Sequence, residues 1–378
     1  MAAAGGAGGG TDYALWGWGQ GETGFLGDGN TTSVNNSPIQ IGSETYWLGR
    51  DLEDVRSFKM GVAAGGGAIT SEGKLFTWGN ANKGRLGDGT IVNKSSPVQI
   101  GSLTDWDNIA GCGVAYLSIK TDGTLWGWGD GGNGNLGQGN TTNYSSPVQC
   151  GSLTDWDTVY GSSESGFMIK TDGPLWVMGN NDAGKLGLGD VSGRNSPVQV
   201  GSLTNWDTVC LGMTTGGGIK TDGTLWMWGE NTNGQLGYGN TTDYSSPVQI
   251  GSLTNWAQLA IWKGGTTTGG AMAVKTDGTL WGWGVQAKGQ IGVGNTTTYS
   301  SPVQVGSLTD WKNVVTNQIS TYAIKTDGTL WYWGDGTHGN GTGSTTDYSS
   351  PVQIGTDTSW RQIGSSGAGQ RCCFAMKN

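Results

Sequence analysis

Few side chains in this 378-residue chain are of the kinds that do chemistry, and their spacing limits what they can do. The single histidine, His338, lies in the glycine-rich run DGTHGNGTG. Nucleophilic catalysis by a Ser–His–Asp set needs an imidazole held by a carboxylate, so His338 reads as a turn residue. Five cysteines follow no pattern: Cys150 takes a slot held by Ile100 and Ile250, and Cys112 and Cys210 fall in irregular stretches. That is not a disulfide framework. Vicinal Cys372 and Cys373 lack a second pair at metal-ligand spacing and read as core. Asp28-Gly29 and Asp88-Gly89 have the look of calcium loops, but other units put Gln138, Leu188, Tyr238 or Val293 there, and turn chemistry accounts for them. Asn-x-Thr triplets such as Asn30–Thr32 and Asn140–Thr142 would accept glycans only on a eukaryotic secretory route. The expectation is a protein that is not an enzyme, with no cofactor and no metal.

What organises the chain is a phrase of nine residues, Thr121–Gly129 (TDGTLWGWG). It returns at Thr171–Gly179, Thr221–Gly229, Thr276–Gly284 and Thr326–Gly334, with looser copies at Ser71–Gly79 and Thr11–Gly19. Seven copies at a period near 50 residues mark a repeat architecture. Asp-Gly between apolar runs predicts a hairpin with a type I′ turn. Alternation after the turn puts Trp126 and Trp128 on one face of a strand and Leu125, Gly127 and Gly129 on the other. Trp126, Trp226 and Trp281 are expected to pack between adjacent sheets.

One full unit from Trp106 shows four strand-like runs: Trp106–Ala110, Ala115–Lys120, Thr124–Gly129 and Ser146–Cys150. A Ser-Pro step recurs in the last, and a strand proline belongs at an edge. Four antiparallel strands, seven times over, predict an all-β, seven-bladed β-propeller. The chain opens in mid-unit and closes at Trp360–Asn378 with the first two runs of a unit. The ring should therefore close by pairing Tyr13–Trp18 with Phe374–Met376, leaving no open sheet edge. Residues 11–378 form one propeller domain in this reading, and residues 1–10 (MAAAGGAGGG) a flexible tether rather than a secretory signal.

Composition agrees with a folded repeat. Hydrophobic content is only 34%, but 74 glycines recur in register and 20 tryptophans supply bulk. A net charge of −9 argues against nucleic acid as a partner, which requires a basic stripe. No apolar run reaches the ~20 residues of a membrane span.

The Trp106-led strand, Ile119-Lys120-Thr121-Asp122-Gly123, Trp128-Gly129 and Gly134-x-Leu136-Gly137-x-Gly139 resemble the regulator of chromosome condensation repeat family over roughly residues 11–378. The resemblance implies a propeller and a role in binding proteins. The family includes a nuclear exchange factor for the GTPase Ran, a plant UV-B photoreceptor and a secreted bacterial inhibitor of β-lactamase. The exchange factor's basic N-terminal arm has no counterpart in MAAAGGAGGG, and the photoreceptor's Gly-Trp-Arg-His-Thr blocks are absent. The near identity of the units is similar to that of repeat proteins from bacteria and their phages.

The units are almost copies around TDGTLW and SSPVQIGSLT but diverge between their first and second runs: GCGVAY, GSSESGF, LGMTTGG, IWKGGTTTGGAMA, TNQISTY and GSSGAGQRCC. Extra residues at Tyr46–Phe58 lead toward the same region. These segments should emerge on one face of the ring as a binding surface. The residues singled out are Arg50, Asp51, Glu53, Asp54, Tyr160, Glu164, Met213, Trp262, Lys263, Gln318 and Arg371, with Trp262 taken as exposed. A second variable set after each Trp-Gly, such as Asp130–Asn133, is expected to form another rim. The leading expectation is a virion surface, decoration or fibre-associated protein that contacts other virion proteins or a host surface, placed on the virion or in the cytoplasm. The alternative is a soluble inhibitor or exchange factor for one protein partner.

Overall fold

A computed structural model describes residues 12–31, 34–43, 46–48, 60–62, 65–262, 269–365 and 372–378. Seven antiparallel sheets are present, six of them of four strands in sequential order. Blade 2 shows the pattern: Trp106–Gly111, Ala115–Lys120, Leu125–Gly129 and Tyr144–Gln149. Blades 3 to 6 begin at Trp156, Trp206, Trp256 and Trp311. First strands of neighbouring blades lie in contact with one another, so they line the axis. The fourth strands, bearing the Ser-Pro step, form the half-exposed outer edge.

The ring closes as the repeat phase requires. In blade 7 the tail supplies Trp360–Ser365 and Cys372–Lys377, and the head supplies Asp12–Gln20 and Val34–Gln40. Leu15 faces Met376, Trp16 faces Ala375 and Gly17 faces Phe374. Trp47–Leu48 adds a staple beside this seam: Trp47 pairs with Tyr13 of blade 7 and bridges to Thr70 of blade 1. Cys372 and Cys373 are buried, each in a different core cluster.

The hairpin turn differs from the expected type I′. In blade 2 the Gly123 amide bonds the Lys120 carbonyl and the Lys120 amide bonds the Thr124 carbonyl. Only Gly123 has a positive φ, +76°. This is a turn centred on Thr121 and Asp122, closed by a glycine bulge. The Asp122 carboxylate fixes it, accepting from the Thr124 amide at 2.9 Å and hydroxyl at 2.6 Å.

Packing between blades involves the expected tryptophans only at the margin of each core, and a second tryptophan lies deeper. Trp126, Trp226 and Trp281 are half-buried, each donating its indole N–H to a threonine two residues back. The rings sealed between blades stand two residues on: Trp128, Trp228 and Trp283 are 0% exposed. Trp228 donates to the Lys185 carbonyl of the preceding blade at 2.7 Å, and Trp283 to that of Gln235 at 3.1 Å. Glycine makes the room: a Cβ on Gly216 would lie 2.4 Å from the Trp228 indole nitrogen.

Trp126 also belongs to a clamp repeated around the ring. The Lys120 ammonium lies 5.0 Å from the Trp106 ring centre and 4.4 Å from that of Trp126, and pairs with Asp105 at 3.4 Å. Lys170, Lys220, Lys275, Lys325 and Lys377 repeat it. Cation–π attraction offsets part of the cost of withdrawing each ammonium from water. In two blades Asn205 and Asn255 replace the aspartate, and burial pushes the amines of Lys220 and Lys275 below their ordinary value.

In blade 7 the partner is Asp357, 2.6 Å from Lys377. Burial alone would raise the Asp357 carboxyl, but bonds from Lys377 and from the Ser359 hydroxyl and amide bring it down to about 2. Its contribution to stability is full above the ordinary aspartate range and is lost as pH falls through the folded value. Asp357→Asn should therefore flatten the decline in stability between about pH 4 and pH 2. Denaturant melts across that window check it, and an unchanged slope would refute the pairing.

Candidate partner-binding face

Strand direction gives the ring two unlike faces. One carries the Asp-Gly hairpin turns and the Gly-Ser-Leu-Thr linkers, and is nearly the same from blade to blade. The other carries the loops between first and second strands. The glycine-rich stretches between third and fourth strands share this loop face rather than forming a separate rim: Asn133 of one such stretch donates to Glu164 of the next blade's first loop at 2.6 Å.

A cleft of about 320 Å³ opens on the loop face, lined from four consecutive blades by Arg85, Val114, Glu164, Asp182, Lys185 and Met213 among others. Glu164 adopts φ +65° at the tip of its loop, beside Ser163 at +37°. Such a conformation is costly for a non-glycine residue and is held by its surroundings. Here the Asn180 amide bonds the Glu164 carbonyl at 2.9 Å. Met213, at the tip of the blade 4 loop, is 44% exposed.

Arg85 and Lys185 occupy the variable slot of the Gly-x-Leu-Gly turn, which also holds Phe25, Asn135, Gln235 and Gln290. They are only 8% and 3% exposed. The Lys185 ammonium donates to the Ser163 carbonyl at 2.9 Å and the Met213 carbonyl at 3.1 Å, tying two loop tips together. Burial pulls its amine down to about 8, against the opposing pull of Asp182 and Glu164. Burial likewise lowers Arg85, whose Nε donates to the Asn82 carbonyl. Neither residue stands out in the sequence, because a charged residue in a polar turn is ordinarily solvated. The available signal was that this slot changes character from unit to unit within a turn whose glycines repeat.

The structure brings together only part of the predicted set. Glu164 and Met213 line the cleft. Trp262 is 1% exposed, not exposed as expected: its amide bonds the Gly270 carbonyl and its ring fills the cluster with Met272 and Val274. Tyr160 lies half-buried in the first strand of blade 3, against the cluster of Phe167, Leu211 and Trp228. Gln318 is half-buried in the blade 6 loop, away from the cleft lining. Arg50, Asp51, Glu53, Asp54, Lys263 and Arg371 lie outside the described residues, as does Met1–Gly10. The strand residues flanking Arg50–Asp54 are informative in themselves. Trp47 meets Thr70 at the hairpin-turn end and Met60 meets Ala68, so the described residues on either side both pair along the second strand of blade 1. His338 bonds Thr337 within its own turn.

The regulator of chromosome condensation (RCC1) repeat matches at residues 72–113, 122–161, 172–214, 222–261 and 277–316, more than half of the chain. The chain belongs to the RCC1 repeat family. Over 89 residues it is 30% identical to the human E3 ubiquitin-protein ligase HERC2, a stretch amounting to 24% of this chain and 2% of the ligase. Among solved structures it is similar to human WBSCR16, with a TM-score of 0.79 at 15% identity over 97% of this chain and 99% of that one. It is also similar to Prp20p of Saccharomyces cerevisiae, a protein studied for its binding to Gsp1p and histones. There the TM-score is 0.77 at 16% identity, covering 97% and 92% of the two chains. Yeast RCC1 (Prp20) bound to Kap60 gives 0.78 at 15% identity over 97% and 89%. These likenesses carry the fold.

Proposed function

We propose that this RCC1-repeat propeller is a non-catalytic protein-binding module that engages its partner through the loop face. The observation that carries the reading is the asymmetry of the two faces. Nearly identical turns and linkers fill one, while the other gathers non-repeating side chains from four blades around one cleft. A rigid scaffold presenting variable loops is suited to recognition, and a stiff ring loses little entropy on docking. In its finer form the proposal makes the chain a component of a virion surface or fibre, with Met1–Gly10 as the attachment. The alternative is a free one-to-one regulator, such as an exchange factor or inhibitor, and likeness to a Gsp1p-binding propeller favours that second reading.

Photo-crosslinkers placed at Met213 and at Leu253, on opposite faces, test the coarse reading in the native source. Crosslinks to a protein from Met213 and none from Leu253 are expected, and the reverse pattern would refute it. Recovery with assembled particles in fixed stoichiometry supports the virion form, whereas exclusive recovery as a free complex favours the regulator.

A further inference from the structure

The loop-face cleft holds two cations that the fold itself leaves without a counter-ion. Among the described residues neither Arg85 nor Lys185 forms a salt bridge. Lys185 spends its bonds on carbonyls, and Arg85 uses only Nε, so its two terminal nitrogens carry no hydrogen bond. Buried charges are ordinarily paired, because an unpaired one costs far more than an unpaired dipole. The carboxylates nearby are already engaged. Asp130, beside Arg85, is taken by Lys83 at 2.5 Å. Asp182 accepts from Asn180 at 2.9 Å and Glu164 from Asn133 at 2.6 Å, neither in salt-bridge range of Lys185.

We propose that this cleft is a carboxylate socket, in which the Arg85 fork and the Lys185 ammonium grip one acidic side chain of the protein partner. The arginine fork matches a carboxylate in two parallel bonds. Glu164 and Asp182 at the rim disfavour a ligand of higher negative charge, such as phosphate. Met213, 44% exposed at the edge, offers apolar contact to a neighbour of that acidic residue. The ligand is thus a single aspartate or glutamate flanked by apolar side chains. This rests on the loop face being the partner surface, but it is tested on the free protein, so the two can fail separately.

The probe is N-acetyl-Leu-Glu-Leu-amide, with the Gln peptide and inorganic phosphate as comparisons. The readout is the titration of Lys185 by NMR of labelled lysine. In the free protein this amine should titrate near pH 8. The Glu peptide should raise its midpoint by about one unit, equivalent to tenfold coupling between peptide and proton, and the Gln peptide should leave it in place. Arg85→Gln should weaken peptide binding at least tenfold while the peptide-free Lys185 midpoint and the melting temperature stay as in the parent. Met213→Ala, which leaves both cations, should weaken it less. An unmoved midpoint, an equal response in Arg85→Gln, or phosphate acting as strongly as the peptide would each overturn the socket. Peptide failure with loop-face crosslinks intact removes the socket and leaves the binding face standing.

Discussion

A chain lacking Cys372–Asn378 is expected to lose cooperative unfolding altogether. The strand Cys372–Lys377 is hydrogen-bonded on both sides, to Trp360–Ser365 and to Asp12–Gln20. Without it the two halves of blade 7 have nothing between them and the ring gains two unpaired edges. The loss also reaches the next blade. Phe374 and Met376 are fully buried, and the Phe374 ring meets Trp78 of blade 1 edge-on at 6.0 Å. Calorimetry on the intact and truncated chains decides the matter. A truncated chain that still melts in one sharp transition at the parent temperature would show that closure does not hold the ring.

Trp228→Ala should cost about 3–5 kcal/mol, the range for emptying a large aromatic site in a core that relaxes only in part. The ring stacks on Phe167 at 6.0 Å, meets Trp206 edge-on at 5.8 Å and anchors to the Lys185 carbonyl. Removing it opens a void between blades 3 and 4 and orphans that carbonyl. Trp226→Ala, two residues away, should cost clearly less, since Trp226 is half-buried in the Lys220 clamp. Denaturant titration of both variants compares them directly. Equal losses would mean that the two rings do not differ as the packing implies. Met178 fills the Trp228 slot in blade 3, itself 0% exposed, so Trp228→Met should recover part of the loss.

Repeat period, strand order and closure were all legible in the sequence, because seven copies average out the ambiguity of any one. The turn type was not. Asp-Gly suits a type I′ turn and equally a turn whose glycine forms the bulge, and only the backbone bonds of Lys120 tell them apart. Alternation correctly put Trp126 and Trp128 on one face but could not say which end of the strand lay deeper. Trp262 was misjudged because it opens an insertion. Its counterparts Cys112 and Asn317, 0% and 3% exposed, mark that slot as interior. On the loop face, divergence pointed to Glu164 and Met213. Arg85 and Lys185 escaped notice because their burial is created by neighbouring blades, remote in sequence.

The turn face carries an exposed leucine in five successive linkers, Leu103, Leu153, Leu203, Leu253 and Leu308, each 42–47% exposed. In the remaining two linkers that slot holds Asp357 and Glu44. A ligand gripping one such leucine would find five interchangeable addresses. That degeneracy favours capture by about 1 kcal/mol through RT ln 5, yet it leaves the ring free to sit in any of five rotational settings. The Arg85–Lys185 cleft occurs once. A ligand that reads a single linker therefore cannot fix the angle about the ring axis, whereas one seated in the loop-face cleft clocks the propeller in one direction.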